Sequence, residues 1–576
     1  MLSFPLRTAL LVVAAPALLL PSFAQTPPPS LDVAATTTPP LIDGIISPGE
    51  WTGAAHSAAF RQVLPAEDVE PTERTEFWVT FDADFVYVAV RSHDSAGLGG
   101  VRAYSMQRDQ DNGSDDLIRI VFDTFNRKND GYYFALSAAG GKHDGLIQNQ
   151  SQRNDQWDAL WHGKVSRDEG GWSAEFAIPA KSIAFDSTID TWGFTVARAL
   201  RRKQEVMRWA GFSRQKPTTS LPDLGVLRGI TGLQQGRGIE LKPYASFTHR
   251  SDPQPGEKQG EFNPGFDLIW HLTPSLTSTF TINTDFADAE VDQRRVNLGR
   301  FSLFFPEKRA FFTQDAPLFS FAGINRDPLP FFSRTIGLAA DGSKVDLLGG
   351  IKLTGRAGPW TIGLLDVQID EQPGIDSQNL FVGRITHSVG AESSAGIIFT
   401  HGDPRSNDDN TLVGVDFNYV NSRFRDEAKS LSIRASAQGT RSDATNRQGG
   451  AGTLAISYPN DPYEFFWSYS RLGNDFEPAL GFAPRTGVEK MHLWNRYRWF
   501  FEATPLQSLD VFLEGDWVTD LHRHRLDRET WTGLEGRTRP GDEFVLMQQD
   551  RSERLMVPFE ISPGVVIPTG DHRWSA

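Results

Sequence analysis

Cysteine is absent from the 576 residues, so neither disulfides nor thiolate metal sites hold this chain together. A basic excess is absent too. Lys and Arg number 57 against 72 Asp and Glu, a formal charge of −15, and no basic run interrupts it, which argues against a nucleic-acid partner. Beyond the N-terminus no apolar run approaches the ~18 residues that a spanning helix needs. If the chain enters a membrane it does so as a β-barrel, the other structure that satisfies its own backbone in lipid. Catalytic signatures are missing as well: no HExxH, GxSxG, P-loop or Cys/His metal spacing occurs. The 12 His form no i,i+4 pair on a convincing helix; His522 and His524 share a strand face and read as a surface loop. Glycoside hydrolysis needs two carboxylates flanking a glycosidic bond. Among 72 acidic residues such pairs are found anywhere; Glu290 and Glu307 are the two worth testing, and their basic neighbours favour ion pairs.

What is present begins with MLSFPLRTALLVVAAPALLLPSFA. Arg7, an apolar run from Ala9 to Leu20, and small residues Ser22 and Ala24 predict a secretory signal peptide over residues 1–24. Residues 25–38 read as a Pro/Thr-rich linker.

From residue 39 to 232 short aromatic and β-branched runs alternate with Gly, Asp and Asn: RTEFWVTF and FVYVAV around Asp82–Asp84, then DDLIRIVFDTF, GYYFALSAAGG, GGWSAEFAIP and TWGFTVARAL. About ten short strands at even spacing predict a β-sandwich. Pro40–Gly44 with Glu50–Trp51, Trp172 with Glu175–Pro179, and Trp192–Phe194 with Arg198 resemble family 9 carbohydrate-binding modules. That resemblance implies carbohydrate binding between exposed aromatic faces, for which Trp157, Trp161, Trp78 and Trp209 are the candidates. Trp157 and Trp161 lead them because QNQSQRNDQWDALWHG is polar and loop-like. Any single Trp is also a core residue by default. The resemblance further implies structural calcium. Asp109, Asp111, Asp115 and Asp116 offer hard oxygen ligands, with Asp82, Asp84 and Asp94 behind them, although the loop is not an EF-hand and a solvated polar turn is the alternative.

From 233 to 576 the texture changes to segments of about ten residues with clean alternation, as transmembrane β-strands show. Leu276, Phe280 and Ile282 oppose Thr277, Thr279 and Thr281; Val413, Val415, Phe417 and Tyr419 oppose Gly414, Asp416 and Asn418; Leu431 and Ile433 oppose Arg434 and Gln438. A one-face-wet sheet fits the same pattern. Charged residues on the polar faces, and an expected interfacial girdle of Trp467, Tyr469, Trp494, Tyr497, Trp499 and Trp517, favour a barrel of about fourteen to eighteen strands. Phe266–Asp267, Val296–Leu298, Arg300–Phe301, the FFPEKR block at Phe304–Arg309, Ser333–Gly337 and Phe476–Arg485 resemble the domain of unknown function numbered 5916. Thr284, Ala310 and Gln314 depart from that pattern. The resemblance implies an outer-membrane-type barrel following the sandwich. Because the last residues, GDHRWSA, look like the start of a strand, a truncated barrel is expected.

Within this half, residues 281–321 balance charge against phenylalanine. Asp285, Glu290, Asp292, Arg294, Arg295, Arg300, Glu307, Lys308 and Arg309 lie among eight Phe, too apolar for a linker and too charged for a lipid face. They are expected across the lumen or its mouth. The expectation is an all-β protein of the bacterial outer membrane in contact with lipid, its sandwich periplasmic, binding or admitting a glycan without catalysis. A secreted glycoside hydrolase, or its accessory protein, is the alternative.

Overall fold

The computed structural model describes residues 27–576 except 110–112, 149, 156, 215, 236–237, 250–259, 285–299, 302–303, 306, 324–327, 339–344, 373, 391, 427–428, 502–503, 540 and 563. The expected signal peptide, Asp111, Asp285, Glu290, Asp292, Arg294 and Arg295 lie outside the described residues. Among the described residues no helix is long and apolar enough to cross a membrane; the protein is all-β.

Two facing sheets form the N-terminal part. One has nine strands, with Thr191–Leu200 between Leu117–Asp123 and Gly225–Arg228; the other has five, centred on Phe85–His93. Alternate residues of each sheet point inward, so Phe77, Val79, Val86 and Val88 meet Ile118, Ile120, Phe122 and Phe134 in a common dry core, the usual driving force for stacking two sheets. The stretch expected as linker contributes to it. Ser30–Asp32 pairs in parallel with Val226–Arg228, and Val33 is buried.

Among the described residues the C-terminal part forms one antiparallel sheet of sixteen strands, each paired with the next, from Ile239–His249 to Gly570–Ser575. Its alternation is inside-out relative to a water-soluble sheet. In Asn410–Asn421, Val413, Val415, Phe417 and Tyr419 are 46%, 51%, 42% and 37% exposed, whereas Asp416 and Asn418 are 8% and 6% exposed. Likewise Thr279 and Thr281 are buried while Ile282 is exposed. The girdle expectation needs one correction. Trp467, Tyr469, Tyr497, Trp499 and Trp517 lie on the apolar face, but Trp494 falls in register with His492, Arg496 and Arg498 on the polar one.

The sandwich docks on the end of this sheet where the connections are short. Phe185 N donates to Pro274 O (3.1 Å), Lys216 Nζ to Ser422 O (3.3 Å), and Arg127 to Gly358 O. The Arg214 guanidinium lies 3.5 Å over the Phe500 ring. Laid flat, the strands flanking the turn at Pro274 and those ending near Phe500 would stand about 48 Å apart at ~4.8 Å per strand. A sandwich with a radius of gyration of about 16 Å reaches both comfortably only because the sheet is rolled, with its polar face inward.

Candidate functional site

The rolled sheet encloses the described residues between Arg300 and Ile336. Among them Phe311, Phe312, Phe319 and Phe321 pack on Leu347, Leu365, Val367, Leu380, Val382 and Ile398, so the inward face, polar elsewhere, turns apolar where this plug leans. Four points of the wall then hold the plug, three of them through its backbone. Lys352 Nζ donates to Phe311 O and Gln314 O, both at 2.7 Å. Thr354 Oγ1 donates to Asp315 Oδ2 (2.8 Å). Arg384 Nε donates to Ser320 O (3.0 Å), and Asp416 Oδ2 accepts Ala322 N (2.9 Å). Each wall cation therefore satisfies plug carbonyls that burial would otherwise strand.

Arg384 and Asp416 also bond each other, Nη1 to Oδ1 at 2.5 Å and Nη2 to Oδ2 at 2.9 Å, with side chains only 3% and 4% exposed. They sit on strands separated by a third, and the position between them is Gly396, which pairs with Asp416. A Cβ there would lie 2.4 Å from Arg384 Nη1; only glycine lets the guanidinium pass.

The FFPEKR block ties the plug to itself. Glu307 accepts from Arg309 Nε (2.8 Å) and Nη2 (2.7 Å), from the backbone N–H of Lys308 and Arg309, and from Ser333 Oγ (2.6 Å). Arg309 donates onward to Ser333 O and Ile336 O, both at 2.7 Å. The carboxylate is thus committed to an internal clasp, the ion pair that its neighbours suggested. Arg300 crosses to the far wall, donating from Nε to Glu553 Oε1 (2.9 Å).

Two cavities flank the plug. One of about 630 Å³, at the end with the long connections, is lined by Arg334, Arg405, Arg447, Asp403, Phe332 and Phe482. Beside it Phe304 and Phe332 stack at 4.9 Å, and Phe482 meets both edge-on at 5.4 Å. The other, about 390 Å³, lies between the sandwich loop Phe125–Asp130, the plug at Pro317–Gly323 and the wall at Arg384 and Asp416. Here Arg356 Nη2 donates to Asp130 Oδ2 (2.6 Å).

The tryptophans chosen for sugar stacking are corrected by their surroundings. Trp157, Trp161 and Trp209 are 8%, 5% and 2% exposed and belong to the sandwich core. Trp161 stacks on Phe176 and meets Phe134 edge-on; the loop around it is exposed, Leu160 at 71%, but the ring itself turns into the core. Trp78 is half-buried against Trp51, Tyr87 and Ala89, tilted over His56 at 4.9 Å. Among the described residues of this region the exposed aromatic is Tyr104, 67% exposed.

The acidic loop is rearranged too. Asp115 accepts the backbone N–H of Tyr104 and Ser105, and Asp116 that of Arg201. Asp82 caps Asp84 and Phe85 and accepts from Tyr87, and Asp94 pairs with Arg202. Asp109 instead converges with Asp144 and Asp158, their oxygens within 4.8 Å of one another. Arg108 already occupies that convergence, at 3.2 Å from Asp109, 2.5 Å from Asp144 and 2.8 Å from Asp158. Burial pushes Asp109 up to about 6, the attraction of Arg108 pulling the other way and Asp144 and Asp158 adding to the rise. These donors fit a guanidinium, and calcium would have to displace it.

A model of the domain of unknown function DUF5916 matches residues 238–366. No curated protein matches the chain. Among solved structures, a family 9 carbohydrate-binding module from Caldicellulosiruptor kristjanssonii in complex with cellotriose aligns with 34% of this chain and 92% of its own, at 14% identity and a TM-score of 0.26. A putative carbohydrate-binding protein from Bacteroides uniformis aligns with 35% and 99%, at 14% identity and 0.29. OccAB2 from Acinetobacter baumannii aligns with 80% and 98%, at 11% identity and 0.29.

Proposed function

We propose that this protein is a plugged β-barrel of the bacterial outer membrane that admits a glycan or glycoconjugate without catalysis, its sandwich seated on the periplasmic rim. The observation that carries this is the reversed alternation of Asn410–Asn421, where valines and aromatics face out and Asp416 and Asn418 face in. In water that arrangement exposes a continuous apolar belt, which costs ~25 cal/mol per Å²; in a bilayer the belt meets acyl chains. Barrels of this kind carry short connections at the periplasmic rim and long ones outside, which supports a periplasmic sandwich. The packed tryptophans move the sugar-contacting role away from Trp157 and Trp161 and toward the barrel.

The test is a carbonate wash of envelopes followed by electrophoresis with and without heating, then planar-bilayer recording of the detergent-purified chain. The expected result is retention in the membrane, a heat-dependent mobility shift and a discrete conductance. Clean release by carbonate would end the proposal.

A further inference from the structure

We propose that the lumen wall facing the plug carries a saccharide-binding track, built on one register row of five adjacent strands. The row reads Phe466, Trp494, Glu514, Trp531, Gln549, each directly opposite the next. It rests on the channel reading above, since it requires an enclosed, watered interior.

Three observations point to a ligand. First, the row's aromatics lie on the inward, polar face of the sheet. Outward positions on the same strands already supply Trp467, Trp499 and Trp517 to the apolar face, and none of the row's rings belongs to the core beneath the plug. Phe466, Trp494 and Trp531 stay half-buried, and Trp494 lies parallel to the inward Phe512 at 5.7 Å and 23°. Rings left in enclosed water gain free energy when a C–H-rich face covers them.

Second, the polar groups around the rings are paired and held in place. His492 bonds Asp516 (2.9 Å). Trp531 Nε1 and Gln549 Nε2 both donate to Glu529 Oε1, at 3.2 and 2.6 Å. Arg496 Nη2 lies 2.5 Å from Glu464 Oε2. The charges within these pairs cancel while their donors and acceptors stay available to hydroxyls, and the uncompensated Glu514 repels anions, so a neutral hydroxyl-rich solute fits this stretch of wall better than an anionic one. Glu514, flanked by both indoles, has no hydrogen-bond partner among the described residues.

Third, the dimensions agree. Four strand spacings of ~4.8 Å make the row about 19 Å long, enough for a trisaccharide. In a barrel whose strands tilt by about 35–45°, a register row is an oblique path down the wall, so one bound sugar ring leads to the next aromatic platform.

The test uses the full chain in planar bilayers with maltotriose or cellotriose on one side, and tryptophan fluorescence of the same chain in detergent as a second readout. The expected result is concentration-dependent block of the ion current and a saturable fluorescence change. Trp494→Ala and Trp531→Ala should each weaken both at least tenfold, Trp494→Phe should retain most of the effect, and the outward Trp499→Ala should leave it unchanged. Heat-modifiability checks that every variant is folded. Conductance that neither trisaccharide blocks, or block that is equal in all variants, overturns the track and leaves the channel reading standing. Absence of any conductance removes the channel reading and the track with it.

Discussion

Replacing Asp416 by Ala isolates the contact on which the plug depends most. Arg384 would keep its guanidinium inside the wall at 3% exposure with its bidentate partner gone. Breaking a buried pair on one side costs about 3–5 kcal/mol, because the remaining charge has no compensation. The N–H of Ala322, now without Oδ2, is left unbonded at a further cost of ~1 kcal/mol. The sum is a large part of a domain's stability. In detergent, Asp416→Ala should unfold at a distinctly lower urea concentration, and in bilayers its current should become noisier and larger as the Ser320–Gly323 stretch leaves the wall. Arg384→Met combined with Asp416→Leu should recover most of the stability, since removing both partners removes the stranded charge, but not the closed-state current, since Ser320 and Ala322 stay unheld. If Asp416→Ala melts and conducts like the wild type, the latch does not hold the plug.

Three further outcomes are expected. Val415→Arg, on the outward face next to Asp416, should lower folding efficiency into lipid vesicles by about 2–4 kcal/mol, while the same change should be nearly neutral if that face met water; urea titration in vesicles distinguishes the two. In the sandwich, burial pushes Glu73 up but hydrogen bonds from Lys203, Ser95 and Arg202 outweigh it, bringing it from 4.5 down to about 2. Its folded form therefore binds a proton less readily than its unfolded form. The stabilisation is complete above pH ~4.5 and disappears as pH falls through ~2. With Lys203 29% exposed, screening reduces it to about 1–2 kcal/mol, a slope that Glu73→Gln should abolish in acid melts. Because Arg108 fills the Asp109–Asp144–Asp158 convergence, EDTA or millimolar calcium should leave the sandwich melting temperature unchanged within about 1 °C; a calcium-dependent rise of several degrees would show that the ion displaces the guanidinium.

Which residues face which way was legible in the sequence of the second half, because strand period is two and composition alternates with it. Thr279, Asp416 and Gln438 were assignable to the inner face on that ground alone. What they bond was not legible. Arg384 and Asp416 are 32 residues apart, and their meeting depends on register across a third strand and on the missing side chain of Gly396. The apolar inner patch at Leu365, Val367 and Ile369 was equally hidden, since it is defined by phenylalanines some fifty residues earlier. Trp494 was misplaced because aromatic content near a strand end was weighed above parity within the strand. Trp157 and Trp161 were misplaced for the opposite reason: polar neighbours along the chain say little about a ring whose contacts, Phe134 and Phe176, come from both sheets. Glu307 was correctly suspected of pairing because its partner, Arg309, is two residues away.

The grip of the sandwich on turns drawn from separate arcs of the rim makes it a hub as well as a neighbour. Arg127 and Asp130 grasp one arc, Lys216 another and Arg214 a third, while Phe125–Asp130 itself floors the cavity under Pro317–Gly323. Any movement of the hub is passed first to the floor of that cavity and to the Pro317–Gly323 stretch above it.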